Sequence, residues 1–582
     1  MAKVASEYEV ESIFIEKLGE MGYDFIPMSN YNDIVNNFRT QLCKVNAENL
    51  MEAKGTAELT DAEFARVLLR LENHTIYESA KILREQWVLD LDNGKTVYLS
   101  FLTDDETRNT YQVTHQVTMD KSHKDDVLYK SRYDVTILIN GLPLVQVELK
   151  RPGVEINEAI NQINRYRRFS FRGLFRYIQV FVVSNSTQTK YFANMNERTE
   201  DGATDQSILK SLVFYWTDEE NKRINRLIDF TQDFLTKFNV TELLTRYFVI
   251  KQSEPVLMVM RPYQIYAVKK AMERIFGSNM NGYVFHTTGS GKTLTSFKTA
   301  RLASQLPYID KVLFVVDRKD LDYQTMKEYD RFEKGAANGN TSTQVLQRQL
   351  EDRDAKGNPH TYKIIITTIQ KLALFVARNK GHEIFQKHVV LIFDECHRSQ
   401  FGDMHEDITK YFKNYHLFGF TGTPIFATNA STRGKPTLKT TPQAFGGEPD
   451  KEGKKVLPLH TYTIVDAIND NNVLPFRIDY VDTVNRKAGI GDKQVKAIDT
   501  EKALADPRRV KEIVKYILEH FDQKTKRNGK TYSFRALRNI EAVATDKTRG
   551  QVAEVKDSVR LSGFNSIFAV SSIAMAKAYY LE

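Results

Sequence analysis

The sequence predicts an α/β protein in which a domain with a mixed sheet precedes a domain with a parallel sheet. Between Val97 and Val183, short strand-like runs surround one helical stretch, which indicates the mixed layout. From Val284 to Phe420, near-continuous apolar runs alternate with helical segments, the pattern of parallel strands covered on both faces. Because 582 residues are too many for a single core, we expect roughly three or four domains.

Composition and charge narrow the class of protein. Hydrophobic content of 41% and charged content of 27% are those of a soluble globular protein, and the net charge of +8 is compatible with a polyanionic partner. The two cysteines, Cys43 and Cys396, are too few for a disulfide framework, which favours a reducing compartment. No apolar run reaches the ~18 residues of a membrane span, and the first residues lack the apolar core of a signal peptide. We therefore expect a cytoplasmic protein without a membrane partner.

Residues 1–245 are predicted to form the first domain. An amphipathic helix from Ser6 to Met21 opens it, and polar helices follow to about Glu85. One further helix, Ile156–Phe169, lies among the strands. The predicted strands are Val97–Phe101, Tyr111–Val117, Tyr133–Ile139, Leu144–Leu149 and Ile178–Val183.

Three charged residues lie on two neighbouring strands of this domain. Asp134 lies on one predicted strand, while Glu148 and Lys150 lie two residues apart on the next and therefore share a face. Two carboxylates and an amine at a strand pair suit divalent-metal chemistry. The carboxylates would hold Mg²⁺, and the lysine would orient and activate a water beside a phosphate. The same residues are also ordinary on the exposed face of an antiparallel hairpin.

The connection between these two strands raises a question of register. A two-residue loop, Asn140–Gly141, would pair Asp134 with Val147 and place Glu148 on the opposite face. A bulge or a three-residue loop would instead pair Asp134 with Glu148. We therefore predict a bulge or a longer loop, with Gly141 at positive φ.

A helix after the strand pair adds two residues to this set. Gln162 and Tyr166 are four residues apart and share one helical face. Together with Asp134, Glu148 and Lys150, they resemble the PD-(D/E)xK nuclease fold, in the branch that carries a Gln-x-x-x-Tyr helix. The resemblance implies that all five residues are catalytic and that the two acidic residues bind the metal.

Two further features of the first domain stay open. Many nucleases of this kind place an additional acid on the first helix, where Glu11 lies, although a solvated helix face is the expected environment for this residue. Arginines and phenylalanines alternate after the Gln-x-x-x-Tyr motif, and they either contact phosphates or form the solvated side of an amphipathic helix. These residues are Arg165, Arg167, Arg168, Phe169, Phe171, Arg172, Phe175 and Arg176.

The second domain, predicted over residues 246–470, contains a glycine-rich turn. The turn follows the apolar run Tyr283–Phe285 and opens a helix, so backbone N–H groups and the positive helix end would face an anion. Lys292 would then reach the outer phosphates of a nucleotide, and Thr293 would ligate Mg²⁺. His286 replaces the first glycine of the strict pattern, and a turn without a ligand is the alternative. The predicted nucleotide-binding residues of the turn are Thr288, Gly289, Ser290, Gly291, Lys292 and Thr293.

An acidic pair follows the buried strand predicted at Val389–Phe393, at the sheet edge where open α/β sheets bind ligands. Asp394 would hold Mg²⁺ through water, and Glu395 would polarise the water that attacks the γ-phosphate. His397 would sense the nucleotide. An acidic pair after a strand is usually only a helix cap, but its position downstream of a phosphate-loop lysine favours catalysis.

Other segments between residues 261 and 424 resemble the motifs of superfamily 2 helicases. Arg261-Pro262-Tyr263-Gln264 resembles the adenine-reading element, which implies Gln264 as the reader. Three more segments resemble the motif that links nucleotide state to DNA and the places that contact the nucleic-acid backbone. They are Gly419–Pro424, Val316–Arg318 and Thr367–Gln370. The set implies a motor that binds ATP and Mg²⁺.

Residues 471–582 resemble the start of a second RecA-like domain. The run Ser566–Ser572 is predicted to be its first strand, the run Ile573–Tyr580 its first helix, and Pro507–Phe521 an earlier helix. Residues 428–456, before this region, lack periodicity and are expected to form a loop. The later helicase motifs, including the arginine finger, have no counterpart before Glu582, so we expect a fragment of a longer polypeptide.

A nuclease followed by a motor resembles the R (restriction) subunit of type I restriction-modification enzymes over nearly the whole chain. The resemblance implies a PD-(D/E)xK nuclease-like domain and RecA-like domains, the second incomplete. It also implies an ATP-dependent translocase on double-stranded DNA that cuts remote from the recognition site and docks on methyltransferase (M) and specificity (S) subunits. Two alternatives remain: another nuclease–helicase fusion in DNA repair or phage defence, or a nucleotide- and DNA-binding module without motor turnover.

Overall fold

The computed structural model describes most of the chain. The described residues are 5–72, 74–119, 131–169, 171–194, 212–251, 256–277, 281–316, 326–330, 332, 335, 337–396, 408–426, 440–450, 452–453, 455–481, 506–527, 529, 531–539 and 555–582. They cluster into two compact units, 1–474 and 475–582. Within these described ranges, no helix combines the length and the apolar character that a bilayer crossing requires.

The N-terminal region begins with helices whose starts are set by side-chain caps. The first helix is fixed by a capping box between Ser6 and Glu9, and it buries Val10, Phe14 and Leu18. Capping boxes also start the second, fourth and fifth helices. The helices of this region are α1 (Glu7–Glu20), α2 (Tyr31–Val45), α3 (Ala47–Lys54), α4 (Asp61–Leu71), α5 (Ile76–Ile82) and α6 (Ile156–Phe169), with short 3₁₀ turns at Glu106–Arg108 and Gly173–Tyr177.

A six-stranded mixed sheet forms the centre of this region, as the sequence predicts. Its strands lie in the order β1-β4-β5-β6-β7-β8, and β4, β5 and β6 are antiparallel neighbours. The helix α6 crosses over to β7, which is parallel to β6. The strands of this region are β1 (Asp24–Phe25), β2 (Trp87–Asp90), β3 (Thr96–Leu99), β4 (Tyr111–Met119), β5 (Ser131–Ile139), β6 (Leu142–Leu149), β7 (Val180–Ser184) and β8 (Thr189–Ala193).

The register between β5 and β6 confirms the predicted bulge. Ile139 pairs with Leu142 across the tight turn, but the register shifts after Ile137, so that Val135 pairs with Val147. Continuing this register places Asp134 opposite Glu148. Gly141 has a φ of +79°, and a Cβ there would lie 2.6 Å from the Cα of Phe38, so glycine is required on both counts.

A seven-stranded sheet with every pair parallel forms the second centre, in the order β13-β14-β12-β15-β16-β11-β19. The predicted strands of the motor region are therefore confirmed, and their carboxyl ends share one edge. The strands are β9 (Phe248–Lys251), β10 (Val256–Val259), β11 (Gly282–His286), β12 (Lys311–Val316), β13 (Asn338–Gly339), β14 (Ile364–Thr368), β15 (His388–Asp394), β16 (Asn414–Thr421), β17 (Glu448–Pro449), β18 (Val456–Leu457) and β19 (His460–Tyr462). The helices are α7 (Leu227–Phe234), α8 (Lys237–Glu242), α9 (Pro262–Gly277), α10 (Lys292–Ser304), α11 (Thr343–Leu350), α12 (Ile369–Arg378), α13 (Thr441–Phe445) and α14 (Ile464–Asn469), with a π turn at Leu243–Tyr247 and a 3₁₀ turn at Glu383–Gln386.

The two sheets share one continuous hydrophobic core, so residues 1–474 pack as a single unit. The Tyr191 hydroxyl on β8 donates to the Met260 carbonyl 3.2 Å away. The Tyr266 hydroxyl on α9 donates to the Thr217 carbonyl at 2.9 Å. These bonds satisfy polar groups that the shared core would otherwise leave without partners.

In the second unit the two predicted helices are present, but the predicted strand is not. The predicted helices are confirmed as α15 (Pro507–Thr525) and α16 (Ile573–Leu581). The prediction of a strand at Ser566–Ser572 was wrong: that run forms no strand, and Ile567 is 97% exposed. A parallel strand needs a neighbour to pair with, and the described sheet here is an antiparallel pair, β20 (Thr531–Leu537) with β21 (Lys556–Ser562).

In the first unit, the prediction of a loop at 428–456 is partly wrong, since its described part contains α13 and the β17–β18 hairpin.

Candidate active sites

The three charged residues predicted on the first sheet converge where β5 begins and β6 ends. The Lys150 ammonium donates to Glu148 Oε1 at 2.9 Å and lies 4.0 Å from Asp134 Oδ2. The Leu149 amide donates to Asp134 Oδ2 at 2.9 Å, which fixes that carboxylate. Glu148 is fully buried, so an exposed hairpin face does not describe this site.

Burial changes the charge balance of this cluster. It raises the pKa of Glu148 well above its usual range, and the neighbouring carboxylate of Asp134 raises it further. Burial also raises the pKa of Asp134. Burial alone would lower the pKa of Lys150, but the carboxylates, Glu148 first, outweigh it and raise that pKa. The lysine is therefore a cation whose charge partly offsets two crowded carboxylates.

The cluster fits a hard divalent cation. Glu148 Oε2 is buried and has no hydrogen-bond partner among the described residues, so it can accept a ligand. In the part of the chain that the structure describes, no group of three or more His, Cys, Asp or Glu side chains could hold a metal. Two carboxylates with water ligands suit Mg²⁺, which retains much of its hydration.

The structure places Gln162 and Tyr166 on α6 beside this cluster. The Gln162 amide donates to the Tyr166 hydroxyl, which in turn donates to the Arg132 carbonyl at 2.7 Å. Burial, with the Glu148 charge next in weight, raises the pKa of Tyr166. A neutral hydroxyl held at this end of β5 is a positioned donor, and it ties the helix to the strand that carries Asp134.

The environment of Glu11 differs from the prediction. We expected a solvated helix face, and this was wrong, because Glu11 is buried. Its Oε1 lies 2.6 Å from His115 Nδ1, and its Oε2 accepts from the Gln116 amide at 2.6 Å. Gln116 has a φ of +55° and lies opposite the β5 position of Asp134, in a register that is unchanged on either side of it. The Glu11 charge also contributes to the raised pKa of Asp134. Sequence reasoning missed His115 and Gln116, because they lie more than a hundred residues from Glu11 along the chain.

The run of arginines and phenylalanines divides by burial. Phe171 and Phe175 are buried and stack in the core, with ring centroids 6.2 Å apart. Arg165 and Arg176 are exposed. The phenylalanines are therefore core residues, while the exposed arginines remain available to phosphates. The side chains of Arg168 and Phe169 lie outside the described residues.

The glycine turn joins β11 to α10, as predicted. Gly289 has a φ of +82° and Gly291, the N-cap of α10, a φ of +78°. The position of His286 is explained by the sheet: its ring is buried at the end of β11, with Nε2 3.0 Å from Nδ1 of His460 on β19. Burial lowers the pKa of His286 well below its usual value, so the ring is neutral.

Asp394 and Glu395 lie across from this turn, with β16 between their strand and β11. Burial, then the neighbouring Glu395 charge, raises the pKa of Asp394 to about 6. The Lys292 ammonium lies 3.7 Å from Glu395 Oε1. A Cβ on Gly422, just after β16, would lie 3.1 Å from the Thr288 amide and 3.2 Å from Lys292 Nζ. The three strands thus bring the lysine and both acids to one edge, with Thr293 at the start of α10.

The side-chain amide of Gln264 is hydrogen-bonded to the protein at both its nitrogen and its oxygen. Its amide donates to the Ser290 carbonyl at 3.0 Å, and its oxygen accepts from the Arg261 amide at 3.0 Å. It therefore lies against the turn, next to where a nucleotide would bind. His397, Asp317 and Arg318 lie outside the described residues. Thr367 and Thr368 lie at the end of β14, on the same edge of the sheet.

Two family models match the chain. Residues 5–200 match the model of the N terminus of type I restriction enzyme R proteins, and residues 263–510 match the SWI2/SNF2 ATPase model. An ATPase domain of this kind implies that the chain uses a nucleotide. Fold and sites thus define a class of protein in which a nuclease-like sheet precedes a helicase-like ATPase sheet.

Individual relatives identify the family. The type I restriction enzyme EcoprrI endonuclease subunit of Escherichia coli is 35% identical over 281 residues, which are 47% of this chain and 83% of the relative. The SauMSSORF170P endonuclease subunit of Staphylococcus aureus (strain MSSA476) is 44% identical over 544 residues, 92% of this chain and 54% of the relative. The chain belongs to the family of type I restriction enzyme endonuclease subunits, which confirms the resemblance predicted from the sequence.

The chain spans about half the length of its curated relatives from Staphylococcus. Among solved structures, the type ISP restriction-modification enzyme LlaBIII bound to DNA matches with a TM-score of 0.27 and 18% identity, over 37% of this chain and 16% of that chain. That likeness is too small to support an argument about this chain.

Proposed function

We propose that residues 1–245 form a Mg²⁺-dependent endonuclease domain. Asp134 and Glu148 would hold the metal, which supplies Lewis-acid activation of water and of the phosphodiester. Lys150 would orient the attacking water and offset the charge that builds on the phosphate. Gln162 and Tyr166 would position the DNA strand beside this cluster. The Glu148 oxygen without a hydrogen-bond partner and the raised pKa values of both acids support a cation-binding site.

Residues 246–470 would form the ATP-binding motor domain, with 471–582 beginning the next. The turn from Thr288 to Thr293 would cradle the phosphates through its N–H groups, and Lys292 would meet the outer phosphates. Thr293 and Asp394 would hold Mg²⁺, and Glu395 would polarise the attacking water. Gln264 would read the adenine edge, and His397 would sense the nucleotide.

As part of the whole enzyme, this chain would pump double-stranded DNA with ATP and cut it remote from the recognition sequence. Its partners would be duplex DNA and the methyltransferase and specificity subunits. The observation that carries the proposal is the convergence of Asp134, Glu148 and Lys150 at one strand pair, on the same chain as a phosphate-loop site.

The first test is nicking of supercoiled plasmid in Mg²⁺ or Mn²⁺. We expect the wild-type chain to nick, Lys150→Ala to lose nicking, and Lys95→Ala to nick like the wild type, because Lys95 is exposed at a hairpin turn of the same domain. Nicking that survives Lys150→Ala would overturn the nuclease assignment. The same comparison is then made with M and S subunits added, where we expect the same order of activities.

A further inference from the structure

The edge strand of the parallel sheet, β19, contacts the glycine turn through its last residue. Tyr462, the last residue of β19, accepts a hydrogen bond on its carbonyl from the Thr287 amide at 2.9 Å. Its ring stacks on the ring of Tyr263 with centroids 3.6 Å apart and planes 12° from parallel. Its hydroxyl donates to Asp470 Oδ2 at 2.9 Å. Tyr462 is fully buried, so this support is fixed within the fold.

Tyr263 connects Tyr462 to the glycine turn, because it stacks on Tyr462 and bonds to Ser290. Its hydroxyl donates to the Ser290 carbonyl at 2.7 Å, and both groups are buried. The Gln264 amide donates to the same carbonyl at 3.0 Å. Two donors on one carbonyl oxygen hold that peptide unit in a single orientation.

The orientation of this peptide matters for an anion. The described residues contain no cis peptide bond, so the Ser290–Gly291 unit is trans and planar. In a trans unit the C=O and N–H groups point in opposite directions. With its C=O held against Tyr263 and Gln264 on α9, the unit presents the Gly291 N–H to the opposite side. Gly291 is the N-cap of α10, where the helix end favours negative charge.

We propose that Tyr263, supported by the stacked Tyr462, positions the phosphate loop for a polyphosphate chain by holding the Ser290 carbonyl. The inference rests on the nucleotide-binding function proposed above. Tyr263 does not touch the phosphates, so it is a positioning residue. Its effect falls on the phosphate chain and is independent of the base.

The test is displacement of a fluorescent ADP analogue from the whole chain, in Mg²⁺, by ATP and separately by inorganic tripolyphosphate. Tyr263→Phe keeps the ring stack and removes only the hydroxyl. We therefore expect the affinities for ATP and for tripolyphosphate to fall by about the same factor, about fivefold, which is the usual effect of one neutral hydrogen bond. Tyr266→Phe is the matched control. It lies on the same helix and loses a bond of the same kind, to the Thr217 carbonyl outside the turn, and should leave both affinities unchanged.

The outcomes separate this inference from the function on which it rests. A wild-type chain that binds no nucleotide would refute the nucleotide site itself. If the wild type binds, the inference is refuted by an unchanged Tyr263→Phe affinity. It is also refuted if Tyr263→Phe lowers the affinity for ATP but not the affinity for tripolyphosphate, since Tyr263 would then act on the base. Equal weakening by Tyr266→Phe would show a general effect on α9 and would refute it as well.

Discussion

The Lys292 ammonium lies 3.7 Å from Glu395 Oε1, and this contact joins the glycine turn to the acidic pair across the sheet edge. Lys292 is buried, so its charge has little access to water and gains from a nearby carboxylate. A phosphate chain in the turn would compete with Glu395 for this ammonium. The lysine predicted to bind phosphate and the acid predicted to activate water are therefore in direct electrostatic contact.

This coupling predicts the effect of neutralising the acid. Glu395→Gln should bind ATP more tightly than the wild type, by severalfold, because it removes both the competitor for Lys292 and a repulsive charge near the phosphates. Lys292→Ala should bind at least about tenfold more weakly, since a charge-assisted contact contributes about 1.5–3 kcal/mol. The measurement is equilibrium titration with a fluorescent ATP analogue.

The control for this pair is Glu383→Gln, an exposed acid that pairs only at the surface with Lys387. Its affinity for ATP should equal that of the wild type. Weaker binding by Glu395→Gln than by this control would contradict the competition between Glu395 and the phosphates.

The buried Glu11 predicts a loss of stability. Glu11→Ala would leave the Gln116 amide and the His115 ring without the oxygen atoms they now contact at 2.6 Å. Both groups are only half-buried, so the loss should lie near the lower end of the about 1–3 kcal/mol of an unsatisfied buried donor, and the midpoint of thermal unfolding should fall by a few degrees. Glu16→Ala on the exposed side of α1 is the control and should unfold with the wild type. Equal midpoints for the two variants would contradict the buried contacts.

The sequence predicted those features that local pattern determines. The near-continuous apolar runs identified the parallel strands, and the length of the Asn140–Gly141 connection required the bulge that aligns Asp134 with Glu148. The placement of Lys292 at a helix start after a glycine turn also followed from local order. In each case the signal lies within a few residues of the feature that it predicts.

Contacts between distant segments could not be predicted in this way. Glu11 is polar and its helix is amphipathic, so nothing near it indicates that His115 and Gln116 on β4 contact its carboxylate. The stack of Tyr263 on Tyr462 joins residues about two hundred positions apart. The apolar run at Ser566–Ser572 has the composition of a strand, but pairing depends on a neighbouring strand, which composition does not reveal.

The raised pKa of Glu148 predicts how the nuclease site responds to Mg²⁺ and pH. A carboxyl whose folded pKa is raised stabilises the fold while protonated, and this contribution is lost as pH rises through the folded value. A bound cation would offset that loss. Without nucleotide, millimolar Mg²⁺ should therefore raise the unfolding midpoint of the wild type at pH 8. At a tenfold excess over Kd, the gain in the free energy of unfolding is about 1.4 kcal/mol.

The variant for this prediction is Glu148→Gln, which should show no Mg²⁺-dependent rise. The wild-type rise should shrink at pH 6, because protons then compete with the metal for the carboxylates. Thermal unfolding at both pH values, with and without Mg²⁺, is the measurement. An equal rise in the variant would place the metal elsewhere.

A buried histidine near the amino ends of the parallel strands predicts that the stability of the fold falls in acid. His416 on β16 is 1% exposed, stacks on His388 at 5.0 Å, and neither of its ring nitrogens has a partner among the described residues. Burial, then the His388 charge, lowers its pKa to about 4. The unfolded chain takes up this proton near pH 6.5, so the contribution of the neutral His416 ring to stability is present above that value and is lost as pH falls toward 4.

His416→Leu removes the titration without breaking a hydrogen bond. Relative to the wild type, it should be close to neutral at pH 7.5 and more stable by roughly 2 kcal/mol at pH 5. Denaturant unfolding at the two pH values measures this difference, with the exposed His360→Leu as the control that should change neither. A pH-independent difference for His416→Leu would show that the ring does not titrate as its burial requires.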